Sequence, residues 1–371
     1  MDYDDSADEA IFRLRFREWL GDNDPGPEPD HADSAVENEF RSTWHRRLYE
    51  GGWLGLSWPA AYGGRGLTPL HEAIVNEELG AAGMPNAVGP VGWLGRAILV
   101  YGTEEQRTRH LPPLLRGQSA WCQGFSEPGA GSDLASLRTS ARRDGDHYRL
   151  NGQKLWTSGA QYAQWCMLLA RTDPDVPKHK GISCFIVPMD TPGISVRQLK
   201  QAWGGTRFCE VFFDDTEVHA SDRIGEEGDG WTLATTVLAY ERGPSELGVI
   251  ATWKAALDEL VLTATTAEAE LDAARAYAAV EASRLHLMES LTLRARGAAP
   301  GPASSVDKLL MIRAEQMLGG LEFDAAGKAV LTGEDNLATY RYFFARAASI
   351  YGGAEQVQRN IVAQRILGLP R

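Results

Sequence analysis

The spacing of apolar residues changes twice along the chain. Over residues 8–117 apolar positions recur every three or four residues, which is typical of helices packed on one face. Over 119–229 short runs rich in Val, Ile, Tyr and Phe replace this spacing, and from Trp231 the helical spacing returns. The predicted order is therefore helix, sheet, helix.

In the first part, "AIFRLRFREWL" (10–20) places Ile11, Leu14 and Trp19 on neighbouring turns of one helix. "LHEAIVNEELGAAG" (70–83) repeats the pattern until glycine ends it. A segment rich in Pro, Gly and Asp, "DNDPGPEPD" (22–30), reads as a linker between helices.

In the middle part, "HYRLNGQKLW" (147–156) predicts a hairpin whose turn is Asn151-Gly152. Four further strands are expected in an antiparallel β-barrel or sandwich, at "QWCMLLART" (164–172), "ISCFIVPM" (182–189), "ISVRQL" (194–199) and "CEVFFDDTEV" (209–218).

These patterns predict an α+β protein of three domains. They are an N-terminal all-helical domain (1–118), a central β domain (119–230) and a C-terminal helical bundle (231–371). The bundle is interrupted at "ARGAAPGPASS" (295–305) and "GKAVLTGEDN" (327–336).

Charge and composition argue against nucleic-acid binding and membrane insertion. The 371 residues carry a formal net charge of -13, which repels nucleic acid. No apolar run is long enough to span a bilayer, and the acidic start "MDYDDSADEA" is unlike a signal peptide, so we expect a cytoplasmic protein without membrane contact.

The four cysteines lack the spacing of a metal or disulfide framework, so we expect no metal site and four buried thiols, at Cys122, Cys166, Cys184 and Cys209.

The stretch "FSEPGAGSDL" (125–134) is the first candidate for binding chemistry. Gly129 and Gly131 allow backbone N–H groups to converge, and Ser126 and Ser132 add hydroxyl groups. Such a concavity suits a phosphate or the polar edge of a planar cofactor. An ordinary turn is the alternative, since the spacing is neither that of a Walker loop nor that of a Rossmann fold.

Four motifs then occur in order: "EPGAGSD" (127–133), "NGQKLWTSGAQYA" (151–163), "FFDDTEV" (212–218) and "IYGGAEQVQRNIVAQRILGLPR" (350–371). Together with "WPAAYGGRG" (58–66) and "GTEEQR" (102–107), they resemble the acyl-CoA dehydrogenase family over nearly the whole chain. The resemblance implies the same three-part fold, with FAD between the sheet and the C-terminal helices. It also implies desaturation of an acyl-CoA thioester to a trans-enoyl-CoA.

The resemblance assigns cofactor contacts position by position. Ser132 is also expected near the thioester, Trp156 is expected to pack on the flavin, and Ser158 takes the place of a threonine near flavin N5. The full set of expected FAD contacts is Gln123, Phe125, Ser126, Gly131, Ser132, Trp156, Ser158 and Gln356.

The catalytic base departs from the commonest family pattern. Many members carry a glutamate in a Tyr-Glu-Gly sequence, where this chain reads Tyr351-Gly352-Gly353. Branched-chain and long-chain members place the base on an earlier helix, and there "VLAYERGPSELG" (237–248) offers Glu241. The resemblance thus makes Glu241 the base and the Gly352 N–H a donor to the thioester carbonyl. Flanking substrate contacts are expected at Tyr240, Arg242, Tyr351 and Gly353.

The helical pattern agrees with this assignment. Glu241 shares an apolar face with Val237 and Gly248, and burial there raises a carboxylate pKa toward the range useful to a general base. Pro244 is expected to kink the helix beside Glu241. The alternatives are that Glu241 only pairs with an arginine such as Arg242, or that Glu355 is the base.

Two segments by which homomeric members reach a neighbour's FAD are not recognisable, at 263–291 and 327–336. This departure resembles the heterotetrameric (α2β2) acyl-CoA dehydrogenases of actinobacteria, which act on bulky steroid side-chain thioesters. It implies a second related subunit, with electron-transfer flavoprotein as electron acceptor. A non-catalytic partner subunit and an oxygen-using acyl-CoA oxidase remain alternatives.

Overall fold

The structure, a computed structural model, describes residues 4–29, 31, 33–86, 91–298 and 301–370. Asp30 of the expected linker, and residues 299 and 300 of the expected break, lie outside these ranges. Among the helices that it describes, none is both long and apolar enough to cross a membrane.

The elements follow the predicted order. Five helices come first: α1 (Ala7–Asp22), α2 (Ser34–Glu50), α3 (Pro69–Ala81), α4 (Arg96–Tyr101) and α5 (Glu104–Leu115). Eight strands follow: β1 (Trp121–Gly124), β2 (Ser140–Asp144), β3 (His147–Ser158), β4 (Trp165–Arg171), β5 (Ile182–Pro188), β6 (Ile194–Leu199), β7 (Phe208–His219) and β8 (Arg223–Ile224). The chain ends in α6 (Gly230–Glu241), α7 (Ser245–Thr263), α8 (Ala267–Ala295), α9 (Ser304–Ala326), α10 (Lys328–Thr332), α11 (Asn336–Ala347) and α12 (Glu355–Ile361).

By contacts the chain divides into two compact units. The helical unit comprises residues 1–60, 64–88 and 241–371, and the sheet unit comprises 61–63 and 89–240. The helices that precede the sheet in sequence are therefore divided between the units: α1–α3 belong to the helical unit, and α4 and α5 belong to the sheet unit.

Local sequence explains where several helices begin and end. A capping box of Ser6 and Glu9 begins α1, and α3 ends shortly before Gly83, which has a φ of +70°. The predicted helix over 10–20 is confirmed, but its predicted face is wrong. Ile11 and Leu14 are exposed, because aromatic packing turns the helix so that Phe16 is buried.

The core of the helical unit lies between α3, α7, α8 and α9. The backbones of α3 and α7 approach closely, since a Cβ on Gly80 would overlap with the main chain of Gly248. Around this crossing, apolar side chains fill the interior, including Leu247, Ile250, Leu257, Val280, Leu287 and Leu318. Within each helix their spacing of three or seven residues is the helical pattern of the sequence.

The strands of the sheet unit form one sheet in the order β6-β7-β3-β2-β4-β5-β8, with β1 paired to β4. The expectation of a wholly antiparallel domain is wrong at two pairings, because β1 and β2 both run parallel to β4. The predicted hairpin at Asn151-Gly152 is also wrong: β3 continues through it, and the turn from β2 lies at Gly145. Asn151 instead accepts a hydrogen bond from the Asp215 N–H at a shift of register.

Two further differences concern the C-terminal helices. Pro244 does not kink a continuous helix, since α6 ends at Glu241 and α7 begins at Ser245. The proline lacks an N–H, so its ring is accommodated at a helix start and not within one. The stretch 327–336 contains the short helix α10. As predicted, all four cysteines are buried as free thiols.

Candidate functional site

In the helical unit Glu241 lies beside Gly352, although the two residues are far apart in the sequence. Glu241 is the last residue of α6, and its Oε1 lies 3.8 Å from the position that a Cβ on Gly352 would occupy. Lys308 of α9 reaches the same position, with Nζ 3.7 Å from it. The point from which a side chain at residue 352 would extend is therefore bordered by a carboxylate and an ammonium group.

Arg242 holds the glycine turn in place. Its Nη2 donates to the carbonyl oxygen of Gly352 at 2.5 Å, while its own carbonyl accepts from Arg294 Nη1 at 2.6 Å. Gly352 and Gly353 have φ values of +62° and +96°, a region that glycine adopts without a steric cost. A Cβ on Gly353 would also overlap with Nε2 of the buried Gln358.

Three carboxylates surround Lys308. Burial raises the pKa of Glu241, opposed by the charges of Lys308 and then Arg242. Burial likewise raises the pKa of Glu246 to about 7 and that of Glu315 to about 7, again opposed first by Lys308. Burial thus shifts the pKa of all three carboxyl groups upward, the direction that suits proton transfer between a side chain and a substrate.

The Glu241 carboxylate is not held by an arginine. Among the described residues no Lys, Arg or His nitrogen lies within 4.0 Å of it, and its nearest cations act at longer range. The geometry thus gives no support to the alternative in which Glu241 serves only as an ion-pair partner of Arg242. Glu355, the other alternative, forms an ion pair with Arg359 on α12 at 2.5 Å.

In the sheet unit, the loop after β1 is held from inside by an ion pair. The Glu127 carboxylate accepts hydrogen bonds from the N–H groups of Arg138 and Thr139, at 2.7 and 2.9 Å. Its third partner is the fully buried Lys154, whose Nζ is 2.8 Å from Glu127 Oε1 and 3.0 Å from the Phe125 carbonyl oxygen. Two buried charges with complete hydrogen bonding fix the loop in one conformation.

The glycines of this loop do not use the left-handed backbone conformation. Neither Gly129 nor Gly131 has a positive φ, and a Cβ at either would meet open space. Both are exposed, as is Ser132, whereas Ser126 is half-buried and its carbonyl oxygen accepts from the Leu155 N–H at 2.9 Å. The loop therefore presents small residues to solvent above a rigid anchor.

Trp156 lies beside this loop in an unusual conformation. Its φ is +60°, and 58% of its surface is exposed. A bulky residue in the left-handed region is strained, and such strain concentrates at functional sites. The exposed ring, with the exposed Ser158 two residues further on, fits a planar aromatic cofactor stacked against the sheet unit.

The remaining predicted residues are distributed between the two units. Gln123 is half-buried on β1, and the Phe125 side chain is buried, so that Phe125 offers its backbone more than its ring. Tyr240 lies under Arg96 in the sheet unit, with 5.8 Å from the guanidinium carbon to the ring centroid. In the helical unit, Gln356 is exposed on α12 and Tyr351 stacks under Lys308 Nζ at 4.1 Å.

Five residues of these clusters were not predicted: Glu127, Lys154, Glu246, Lys308 and Glu315. A sequence signal existed for the last two, since Lys308 and Glu315 are seven residues apart and share one face of α9. No local signal joins Glu127 to Lys154, because the pair forms only when β3 pairs with its neighbours.

One triad of potential metal ligands occurs in the described residues, namely Glu28, His31 and Glu37. The Arg41 guanidinium binds both glutamates, at 2.5 and 3.1 Å, so a cation already occupies the place of a metal.

The fold and these two clusters define a class: an α+β protein with a sheet unit suited to a planar cofactor and a helical unit carrying an acid–base group. Comparison with known proteins gives the family. Three family profiles match: "Acyl-CoA dehydrogenase, N-terminal domain" over 6–118, "middle domain" over 122–216 and "C-terminal domain" over 228–367.

The curated protein "Acyl-CoA dehydrogenase IpdE1" of Mycobacterium tuberculosis is 40% identical, over 97% of both chains. A solved structure, "Tcur3481-Tcur3483 steroid ACAD", is 32% identical, with a TM-score of 0.86 and full coverage of both chains. The "ChsE4-ChsE5 complex from Mycobacterium tuberculosis" is 30% identical, with a TM-score of 0.84 and full coverage. The chain belongs to the acyl-CoA dehydrogenase family, whose members are in general FAD-dependent enzymes of EC class 1.3.

Proposed function

We propose that this chain is the catalytic subunit of a heteromeric, FAD-dependent acyl-CoA dehydrogenase, with Glu241 as the base. The observation that carries the proposal is the position of the Glu241 carboxylate, 3.8 Å from the point where a side chain at Gly352 would begin. Family members with a glutamate at that position use it as the base, so the carboxylate group is retained and its origin has moved to α6.

The reaction removes a proton from the α-carbon and a hydride from the β-carbon, leaving a trans-enoyl thioester. FAD supplies the acceptor for the hydride. Glu241 takes the α-proton and becomes neutral, and the N–H of Gly352 donates to the thioester carbonyl, on which negative charge develops. The hydrogen bond from Arg242 to the Gly352 carbonyl fixes the orientation of that turn.

The expected contacts to FAD are supported by exposure and strain in the sheet unit. Ser126, Gly131, Ser132 and Ser158 offer polar groups around the exposed Trp156 ring, while Glu127 and Lys154 keep the loop rigid. We propose that Gln123 and the Phe125 backbone complete this surface, with Gln356 contacting FAD from the C-terminal helices.

A bulky acyl group is the proposed substrate, such as a steroid side-chain thioester. Support comes from the similarity to the solved steroid ACAD and from the absence of a side chain at Gly352. Gly352 carries no side chain, and we propose that the acyl chain passes beside the Glu241 carboxylate there, with Arg242 and Tyr351 as flanking contacts.

Replacing Glu241 by glutamine tests the base. We expect the rate at which acyl-CoA bleaches the bound flavin to fall by about 10²- to 10⁴-fold, because glutamine keeps the shape and removes the proton acceptor. The measurement is stopped-flow absorbance on the chain co-purified with its related partner subunit. Glu355→Gln is the matched control and should bleach at the native rate. Bleaching of Glu241→Gln at the native rate would refute Glu241 as the base.

The electron acceptor is proposed to be electron-transfer flavoprotein. Turnover with that acceptor should exceed turnover with dissolved oxygen at equal substrate concentration. Faster turnover with oxygen would instead make the protein an acyl-CoA oxidase.

A further inference from the structure

Lys308 carries a buried charge without a partner at bonding distance. Its side chain is 8% exposed, yet among the described residues no hydrogen-bond acceptor and no carboxylate oxygen reaches its Nζ within the limits of a hydrogen bond or a 4.0 Å ion pair. Its one close contact is the face of the Tyr351 ring, at 4.1 Å. With no bonded partner, the ammonium acts on the carboxylates around it only through space.

The position of Lys308 Nζ shows which group its charge acts on. Lys308 Nζ and Glu241 Oε1 lie 3.7 and 3.8 Å from one point, the position of a Cβ on Gly352. The ammonium and the base are therefore both close to the glycine whose N–H is proposed to bind the thioester carbonyl.

We propose that Lys308 is a positioning residue of this reaction: its unpaired ammonium keeps the Glu241 carboxylate ionised and directed toward Gly352. The inference rests on the proposed function of Glu241. Lys308 exchanges no proton itself, since the α-proton passes to Glu241 alone.

The charges around the pair support this role. Burial lowers the pKa of Lys308, opposed by Glu246, Glu315 and Glu241. Lys308 is in turn the largest influence that lowers the pKa of Glu241, followed by Arg242.

Other charged groups complete the surroundings. Tyr351 and Arg346 lower the pKa of Glu315. Burial is the largest cause that raises the pKa of Tyr351, and the negative charges of the neighbouring glutamates raise it further. Glu246 and Glu315 favour the charged form of Lys308 when they are ionised, whereas the charge of Arg242 opposes it.

The test compares the pH dependence of flavin bleaching in the co-purified complex. In Lys308→Met the rising part of the plot of bleaching rate against pH should move to higher pH by about one unit. Bleaching near neutral pH should therefore slow about tenfold and recover at alkaline pH. Lys308→Arg, which keeps the charge, should have a limb close to the native one. Lys200→Met removes an exposed lysine of the sheet unit and should match the native profile.

A second measurement needs no flavin. Infrared spectra of the flavin-free chain at several pH values should contain a protonated-carboxyl band that Glu241→Gln lacks. Its titration midpoint should rise in Lys308→Met. If Lys308→Met does not fold, Lys308→Gln gives the same comparison.

The outcomes separate the two proposals. Native bleaching by Glu241→Gln overturns the proposed function. An inactive Glu241→Gln combined with an unchanged pH limb and an unchanged carboxyl midpoint in Lys308→Met overturns only the role of Lys308. Loss of bleaching at every pH in both Lys308→Met and Lys308→Arg also overturns it, because a charge effect would be restored by arginine.

Discussion

At the scale of single residues, Gly352 and Gly353 should respond differently to an added side chain. Both have positive φ, but a Cβ on Gly352 would have ordinary contacts, whereas one on Gly353 would overlap with Gln358. Gly352→Ala should therefore cost about 1 kcal/mol in unfolding free energy, from the left-handed conformation alone. Gly353→Ala should cost about 2 kcal/mol or more, since Gln358 must also move.

Urea denaturation of the two variants measures this difference. Gly66→Ala serves as a control, because Gly66 has a φ of +63° and open space around its Cβ position. Equal losses for all three variants would contradict the proposed collision at Gly353.

The buried glutamates predict how stability depends on pH. Glu246 and Glu315 have pKa values of about 7 in the folded chain against 4.5 when unfolded, so the folded state binds more protons between these values. Unfolding free energy should consequently fall as pH rises from about 4.5 to 7. In Glu246→Gln the fall should be shallower, as followed by thermal unfolding midpoints across this range.

Glu281→Gln is the control with the opposite sign. Burial opposes ionisation of Glu281, but hydrogen bonds with Lys254 and Arg284 lower its pKa overall. Its contribution to stability is present above the unfolded pKa and is lost as pH falls toward the folded one, so the fall above pH 4.5 should persist. An identical profile for Glu246→Gln and the native chain would contradict the prediction for Glu246.

At the scale of elements, the ion pair beneath the loop after β1 predicts a large local effect. Lys154→Met leaves the Glu127 carboxylate buried without its ammonium partner, which should cost about 3–5 kcal/mol. Hydrogen exchange should accelerate at the Arg138 and Thr139 amides, which donate to that carboxylate. Adding Glu127→Gln should restore part of the stability, whereas native exchange in Lys154→Met would show that the pair does not hold the loop.

The elements also show how much of the secondary structure local sequence could predict. Helix starts and stops were predictable where caps were present, as at Gly83 after α3. Asn151-Gly152 was misread because the same dipeptide serves a hairpin turn or a shift of register, and the choice depends on β7 across the sheet. The face of α1 depended on aromatic neighbours from other segments, which spacing along one helix does not contain.

At the scale of the whole molecule, the similarity to a heterotetrameric complex suggests a related second subunit. In the helical unit Leu262, Leu331, Ile350 and Leu367 are each more than 60% exposed, and a partner would cover such side chains where they lie in its interface.

We therefore expect the chain to form a complex with a related second subunit and to retain FAD poorly without it. Light scattering after gel filtration gives the assembly mass, and flavin absorbance gives FAD per chain, for the chain alone and co-expressed. Stoichiometric FAD in the chain alone would contradict this expectation. A complex that binds FAD but never bleaches with acyl-CoA would make this chain the non-catalytic subunit.

The sequence by itself determined the order of helices and strands, the burial of the cysteines and the family, because these depend on periodicity and on motifs within short segments. It also singled out Glu241, through the family motif around this residue. Only the tertiary structure decided that Glu241 and Lys308 converge beside Gly352 and that Lys154 neutralises Glu127. These groups are distant along the chain, and electrostatic interaction depends on distance in space and on the exclusion of water, neither of which is written in the local pattern.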